Sequence, residues 1–293
     1  MMRKGSTVTI FAPYDCNNGC PFCINKAEYT NVKYNINKTI ESMWEMHEVT
    51  PNCDFVFTGG EPLADLNILN TLLIEILKMN CGETHHNVFI NTTLPFDEKK
   101  YKDFTVVINF LNSWKEVITG LNISRHLKKY VKESDDEYLN YLDLPVRINC
   151  VLYETDWTEE QVINHINRFK NYKCVNGFQF RDNYVLVNKD NLYNKDDNVN
   201  LKKLMKALKG HCFDKPIYHE ESFRWDVVLT NHPLIKFHRT LPYSKIINKK
   251  KGTIEMNDII INQEGYIYDD WNGYGKPFNM DDYILFLYDM LWV

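Results

Sequence analysis

Three cysteines, Cys16, Cys20 and Cys23, stand in the spacing C-x3-C-x2-C just after an apolar run, STVTIF at 6–11. Two thiols would serve a redox disulfide and four would close a structural zinc site. A cubane iron-sulfur cluster ordinarily takes four thiolates, so three leave one iron without a protein ligand. An open position on a metal is where a substrate or cosubstrate binds. Two other readings stay open on spacing alone: a zinc site completed by a distant ligand such as His47 or Cys53, and three unrelated thiols. The remaining cysteines, Cys53, Cys81, Cys150, Cys174 and Cys212, are scattered singly and read mostly as small buried apolar residues.

A second motif, TGGEP at 58–62, follows the apolar run DFVF. Its glycines, Gly59 and Gly60, let backbone approach a ligand closely, and Glu61 adds a carboxylate. An ordinary turn before a helix is the alternative. Three further polar residues close or line apolar runs: Ser124 after GLNI, Asn149 within VRINCVLY, and Arg181 at the end of GFQFR. Arg181 suits a carboxylate or a phosphate, because its planar fork pairs bidentately with either. A strand-end hydrogen bond or a salt bridge is the plainer role for each of the three.

These residues need strands whose ends converge, and the pattern supplies them. Runs at 6–11, 54–57, 87–92, 120–124, 146–153 and 177–181 read as six strands, alternating with helical stretches at 37–49, 105–114 and 158–172. Between the second and third strands, Leu66, Leu69, Leu72, Leu73, Ile76 and Leu77 recur at helical spacing behind Asp65, a good N-cap. Thr158 and Gln161 resemble a capping box. The expected fold class is α/β: a partial (β/α)6 TIM-like barrel of parallel strands with a smaller α+β C-terminal extension. Such sheets carry their chemistry at the strand C-terminal ends. The Asn- and Asp-rich stretch 183–200 places the boundary, giving a core domain at 1–185 and a C-terminal cap at 186–293 with a β-hairpin and a terminal helix.

A net charge of -5 argues against non-specific attraction to nucleic acid or anionic membrane. No segment approaches the ~18 apolar residues of a membrane span, and the opening MMRKGSTVTIF has too short an apolar run for a signal peptide. A soluble, cytoplasmic protein is expected.

Together, the first-strand C-x3-C-x2-C and the second-strand GGEP on a β-α repeat resemble the radical S-adenosylmethionine (SAM) superfamily, over roughly residues 6–182. The resemblance implies that Cys16, Cys20 and Cys23 hold a [4Fe-4S] cluster whose remaining iron is chelated by SAM. It also implies reductive cleavage of SAM to a 5'-deoxyadenosyl radical that abstracts a substrate hydrogen. The SAM amino group would be received by Gly59, Gly60 and Glu61, the adenine would lie near Phe22, and Ser124 would contact the ribose or carboxylate. Asn149 and Arg181 would reach the same cavity, the first toward SAM and the second toward substrate. An electron donor such as flavodoxin or ferredoxin is the implied partner.

The segment IIINQEGYIYDDW at 259–271 resembles the hairpin of SPASM and twitch extensions, with Asp269 and Asp270 where a cluster cysteine would stand. Beyond residue 174 only Cys212 remains, so a clusterless cap is expected. His211, Cys212, His219, His232 and His238 match no short zinc pattern, and the Lys249–Lys251 run near Tyr243 and Lys245 reads as a solvated loop. The expected substrate is nucleotide-like or another small molecule, with a ribosomally made peptide as the alternative. An iron-sulfur or zinc binding module without turnover is the reading from another class.

Overall fold

The computed structural model describes residues 2–13, 16, 18, 20–23, 33–94, 103–128, 134–153, 156–182, 199–209, 217–219, 224–227, 234–238, 245–248 and 253–268. The chain forms two compact units that interleave in sequence: residues 1–16, 24–90 and 243–293 in the first, 17–23 and 91–242 in the second.

In the first unit, β1 (Met2–Ala12) pairs parallel with β2 (Asp54–Gly59), and β2 with β3 (Val88–Thr92). Helices α1 (Ile36–Val49) and α2 (Leu66–Met79) connect them. Asn35 caps α1 by accepting from the Lys38 amide, and Asp65 caps α2 by accepting from those of Asn67 and Ile68. Leu69, Leu72, Leu73 and Ile76 form the buried stripe of α2, as their spacing predicts. Val8, Ile10, Phe55, Phe57, Val88 and Ile90 are all buried and, as register partners two residues apart on each strand, form one apolar face of this sheet.

Past β1 the sheet continues with a strand from far along the chain. β11 (Thr253–Ile261) pairs parallel with β1, and β10 (Lys245–Asn248) pairs antiparallel with β11. The expected hairpin forms between β11 and β12 (Ile267–Tyr268), with Ile261 opposite Ile267. Asn262 fixes its turn by accepting from the amides of Glu264 and Tyr266. Gly265 has φ +86, and a Cβ there would lie 2.5 Å from the Thr39 nitrogen, so no side chain fits against α1 at that point. The Ser42 hydroxyl donates to the Gly265 carbonyl at 2.6 Å and ties the turn to α1.

The second unit repeats the parallel pattern with β4 (Gly120–Ser124), β5 (Val146–Leu152) and β6 (Val175–Asp182). It also holds α3 (Thr105–Ser113), α4 (Glu159–Phe169) and α5 (Val199–Ala207). The capping box of Thr158 and Gln161 opens α4. β9 (Leu234–His238) pairs parallel with β6, and the sheet continues antiparallel through β8 (Arg224–Val227) to β7 (Ile217–His219). Strands from beyond residue 186 thus extend both units' sheets. The expected boundary at 185/186 and the terminal helix at 281–293 lie outside the described residues. Among the described residues no helix is long and apolar enough to cross a membrane.

Candidate cluster and cosubstrate site

In the first unit, β1 and β2 run in register to their C-terminal ends, where Ala12 faces Gly59. Gly59 has φ +110, and a Cβ on it would meet the Ala12 nitrogen and oxygen at 2.8 Å. Only glycine satisfies both the backbone angle and the contact. Cys16, half-buried, follows the end of β1 by four residues. After Gly60, the buried Glu61 caps a single 3-10 turn, Pro62–Ala64, accepting from the Leu63 amide at 3.2 Å. The GGEP segment is therefore both the turn before a helix and a buried carboxylate at a strand end.

His47 and Cys53, the distant ligands of the zinc reading, are engaged with each other's surroundings. His47 Nδ1 lies 2.8 Å from His86 Nε2, and His86 Nδ1 lies 3.0 Å from the Cys53 carbonyl. Burial pushes the Cys53 thiol up to about 11 and the Cys150 thiol up to about 12, so neither is a thiolate at neutral pH. They are the buried apolar cysteines that their isolation in sequence suggested.

In the second unit, Cys20 and Cys23 form one tight turn, with the Cys23 amide donating to the Cys20 carbonyl at 3.2 Å. Both are half-buried. The loop before them is held by Asn18, which is buried and donates from Nδ2 to the Thr93 hydroxyl at 3.0 Å. Thr93 in turn offers its carbonyl to Arg125 Nη1 at 2.7 Å. Arg125 is fully buried and also donates to the Ser124 carbonyl at 2.9 Å and to Ser134 Oγ at 3.2 Å, with Asp136 3.4 Å from its Nε. One guanidinium therefore ties the end of β4 to the residue that holds the cysteine loop.

Phe22 packs edge-on against His126, ring centroids 4.6 Å apart, and against Tyr153 at 5.6 Å. His126 is buried, and its Nδ1 accepts from the Val151 amide at 3.1 Å, which assigns the neutral ring with hydrogen on Nε2. Burial first, then the charges of His165, Arg181 and Arg125, hold its pKa down to about 3. Asn149 is buried beside it on β5, with its backbone carbonyl accepting from the Arg125 amide at 2.9 Å. Its side-chain Oδ1 is buried with no hydrogen-bond partner among the described residues, an acceptor placed to meet a ligand N–H. Ser124 is half-buried at the end of β4, in register with Asn149.

The structure thus brings together Cys20, Phe22, Cys23, Ser124 and Asn149 within the second unit, while Cys16 and Gly59–Glu61 belong to the first. Among the described residues, no three His, Cys, Asp or Glu side chains converge as a ligand set for one ion. A cubane asks for something different, one thiolate on each of three irons. Thiols are the soft donors that iron-sulfur clusters take, and within the second unit Cys20, Cys23 and the orphaned Asn149 oxygen are of the types that a cluster and an amine-bearing cosubstrate would use. Sequence reasoning missed Asn18, Arg125 and His126; the only signal was a basic pair standing directly after an apolar strand. Cys212, His211, His232, Asp269, Asp270, Tyr243 and Lys249–Lys251 lie outside the described residues.

A family model described as a 4Fe-4S single cluster domain matches residues 3–144. Among solved structures, Streptococcus suis SuiB bound to precursor peptide SuiA is similar at 14% identity and a TM-score of 0.58, over 94% of this chain and 62% of that one. SuiB bound to S-adenosylmethionine gives 15% and 0.58, over 95% and 64%. Native anSMEcpe with bound AdoMet is similar at 19% identity with a TM-score of 0.43, over 60% of this chain and 51% of that one. The chain spans less than two thirds of the SuiB chain it matches. No curated protein sequence matches. The α/β fold is shared with SuiB, and the cluster model spans both the cysteine loop and the GGEP segment. The 4Fe-4S description of that model and the fold shared with SuiB agree with the resemblance read from the two motifs.

Proposed function

We propose that this chain is a radical SAM enzyme whose Cys16, Cys20 and Cys23 hold one [4Fe-4S] cluster. The observation that carries this reading is the tight Cys20–Cys23 turn, its loop pinned through Asn18, Thr93 and Arg125 to a strand end. Bound there, the cluster and SAM supply one-electron cleavage of the cosubstrate and abstraction of a substrate hydrogen atom. The chain's own residues hold and shield. Gly59 lets β2 close on β1, Asn149 offers its buried oxygen to the cosubstrate amine or ribose, and Phe22 presents a ring for adenine to lie against. Glu61 caps the turn after β2, and Ser124 ends β4 in register with Asn149. A small reduced flavodoxin or ferredoxin would deliver the electron.

For the substrate, a ribosomally made peptide is the reading the comparison supports, since SuiB shares this fold and binds a precursor peptide. A nucleotide-like small molecule is the second reading, supported by Arg181 at the end of β6, whose planar fork suits a phosphate. The test is anaerobic reconstitution, then incubation with SAM and dithionite and quantification of 5'-deoxyadenosine. Formation in wild type and its loss in a Cys16→Ala/Cys20→Ala/Cys23→Ala variant is the expected result. Equal background from both, in a wild type carrying a full cluster and supplied with peptide and nucleotide candidates, would overturn the reading.

A further inference from the structure

The second unit's sheet has one face given to helix packing and one given to polar side chains. Phe178 and Phe180 of β6 pack against His165 of α4, with ring centroids 6.3 Å and 6.0 Å away. Strand alternation puts Gln179 and Arg181 on the opposite face. Register partners share a face, so Ser124 and Asn149 join Gln179, and Val151 joins Arg181. The last row continues from Arg181 to His238 on β9. From β5 to β9 that row carries Val151, one arginine and one histidine, and no carboxylate. The row beneath it differs, because Lys236 there stands opposite Asp226.

Arg181 is the anchor of this row. Its Nε is buried and has no hydrogen-bond partner among the described residues. Burial lowers its hold on its proton, the penalty of a charge removed from water. Its position is two residues along β6 from Gln179, which is registered with Asn149, the acceptor proposed for the cosubstrate.

We propose that the row ending β6 and β9, centred on Arg181, receives an anionic group of the substrate, a carboxylate or a phosphate, and so positions the substrate beside the cosubstrate. The planar fork of arginine pairs with either oxyanion bidentately, which a lysine cannot do. In a peptide the group is an acidic side chain; in a small molecule it is a phosphate. The assignment rests on the radical SAM reading for what happens next, but the binding itself does not.

The test is calorimetric titration of the full-length reconstituted protein, without SAM or reductant, using inorganic phosphate and N-acetylglutamate as separate probes at constant ionic strength. Saturable binding of at least one probe, weakened tenfold or more in Arg181→Gln and to a lesser extent in Arg181→Lys, is expected. Preference for N-acetylglutamate favours the peptide source, and preference for phosphate the small molecule. His238→Gln, next in the row, is expected to weaken binding about threefold. No saturable binding in wild type, or unchanged affinity in Arg181→Gln, overturns the proposal. If Arg181→Gln does not fold, unchanged affinity in both Arg181→Lys and His238→Gln overturns it. Because no radical chemistry is run, a failed titration leaves the 5'-deoxyadenosine result standing, and the reverse holds too.

Discussion

The two units hold their candidate functional residues by different means. The first does it with backbone: a glycine whose φ of +110 lets β2 press on β1, a 3-10 turn, and a carboxylate that caps it. The second does it with side chains, through the buried Arg125, His126 and Asn149 and the half-buried Arg181. A backbone device admits few residue types and leaves a readable motif. A side-chain device is assembled from one residue per strand and leaves none.

This contrast can be broken by mutation. The largest effect is expected from Arg125→Ala, which orphans the carbonyls of Thr93 and Ser124 and frees the loop holding Asn18. Removing a buried charge partner costs about 3–5 kcal/mol, so urea unfolding should show a large loss and iron content after reconstitution should fall. Arg168→Ala removes the other arginine paired with Asp136, but that side chain is 47% exposed, and a loss below ~1 kcal/mol is expected. Comparable losses from the two would mean that Arg125 is an ordinary ion pair.

Gly59→Ala tests the first unit. Its φ penalty of about 1–3 kcal/mol adds to a backbone contact that must move, so a loss of about 2–4 kcal/mol is expected in the same assay. Retention of wild-type stability would show that β1 and β2 do not depend on this close approach.

The next effect is a pH dependence. The folded pKa of His126, about 3, lies below its ordinary value of 6.5, so the unfolded chain takes up the proton first as pH falls. The resulting stability is fully present above 6.5 and is lost progressively as pH falls toward 3. Between pH 7.5 and 4.5, wild type should lose about 2–3 kcal/mol more than His126→Gln. Parallel losses in the two would remove His126 from the account. The smallest effect is Thr158→Ala, which deletes a capping box on α4 and should cost about 1 kcal/mol.

Much of this architecture was legible in the sequence. The caps Asp65 and Thr158, the stripe of α2 and the turn at Gly265 are local devices, and they fall where the residues predicted. The parallel pairing of β11 with β1 and of β9 with β6 was not legible, because partners more than fifty residues apart leave no trace in periodicity. At the site, Cys16, Cys20, Cys23 and Gly59–Glu61 were found because a cluster loop and a close strand approach restrict residue type. Arg125 was not, since a basic pair after an apolar strand reads as an exposed end, whereas here the arginine is fully buried among carbonyl acceptors. Phe22 was found only because it neighbours a cysteine; its partners His126 and Tyr153 come from two other strand ends.

The most direct measurement is the electron paramagnetic resonance spectrum of the anaerobically reconstituted, dithionite-reduced protein, recorded before and after adding SAM. Three thiolates that leave one iron open predict a [4Fe-4S] signal that changes on SAM addition and is absent from the Cys16→Ala/Cys20→Ala/Cys23→Ala variant. A protein that holds one zinc and no iron or sulfide, or a cluster signal indifferent to SAM, would contradict the account.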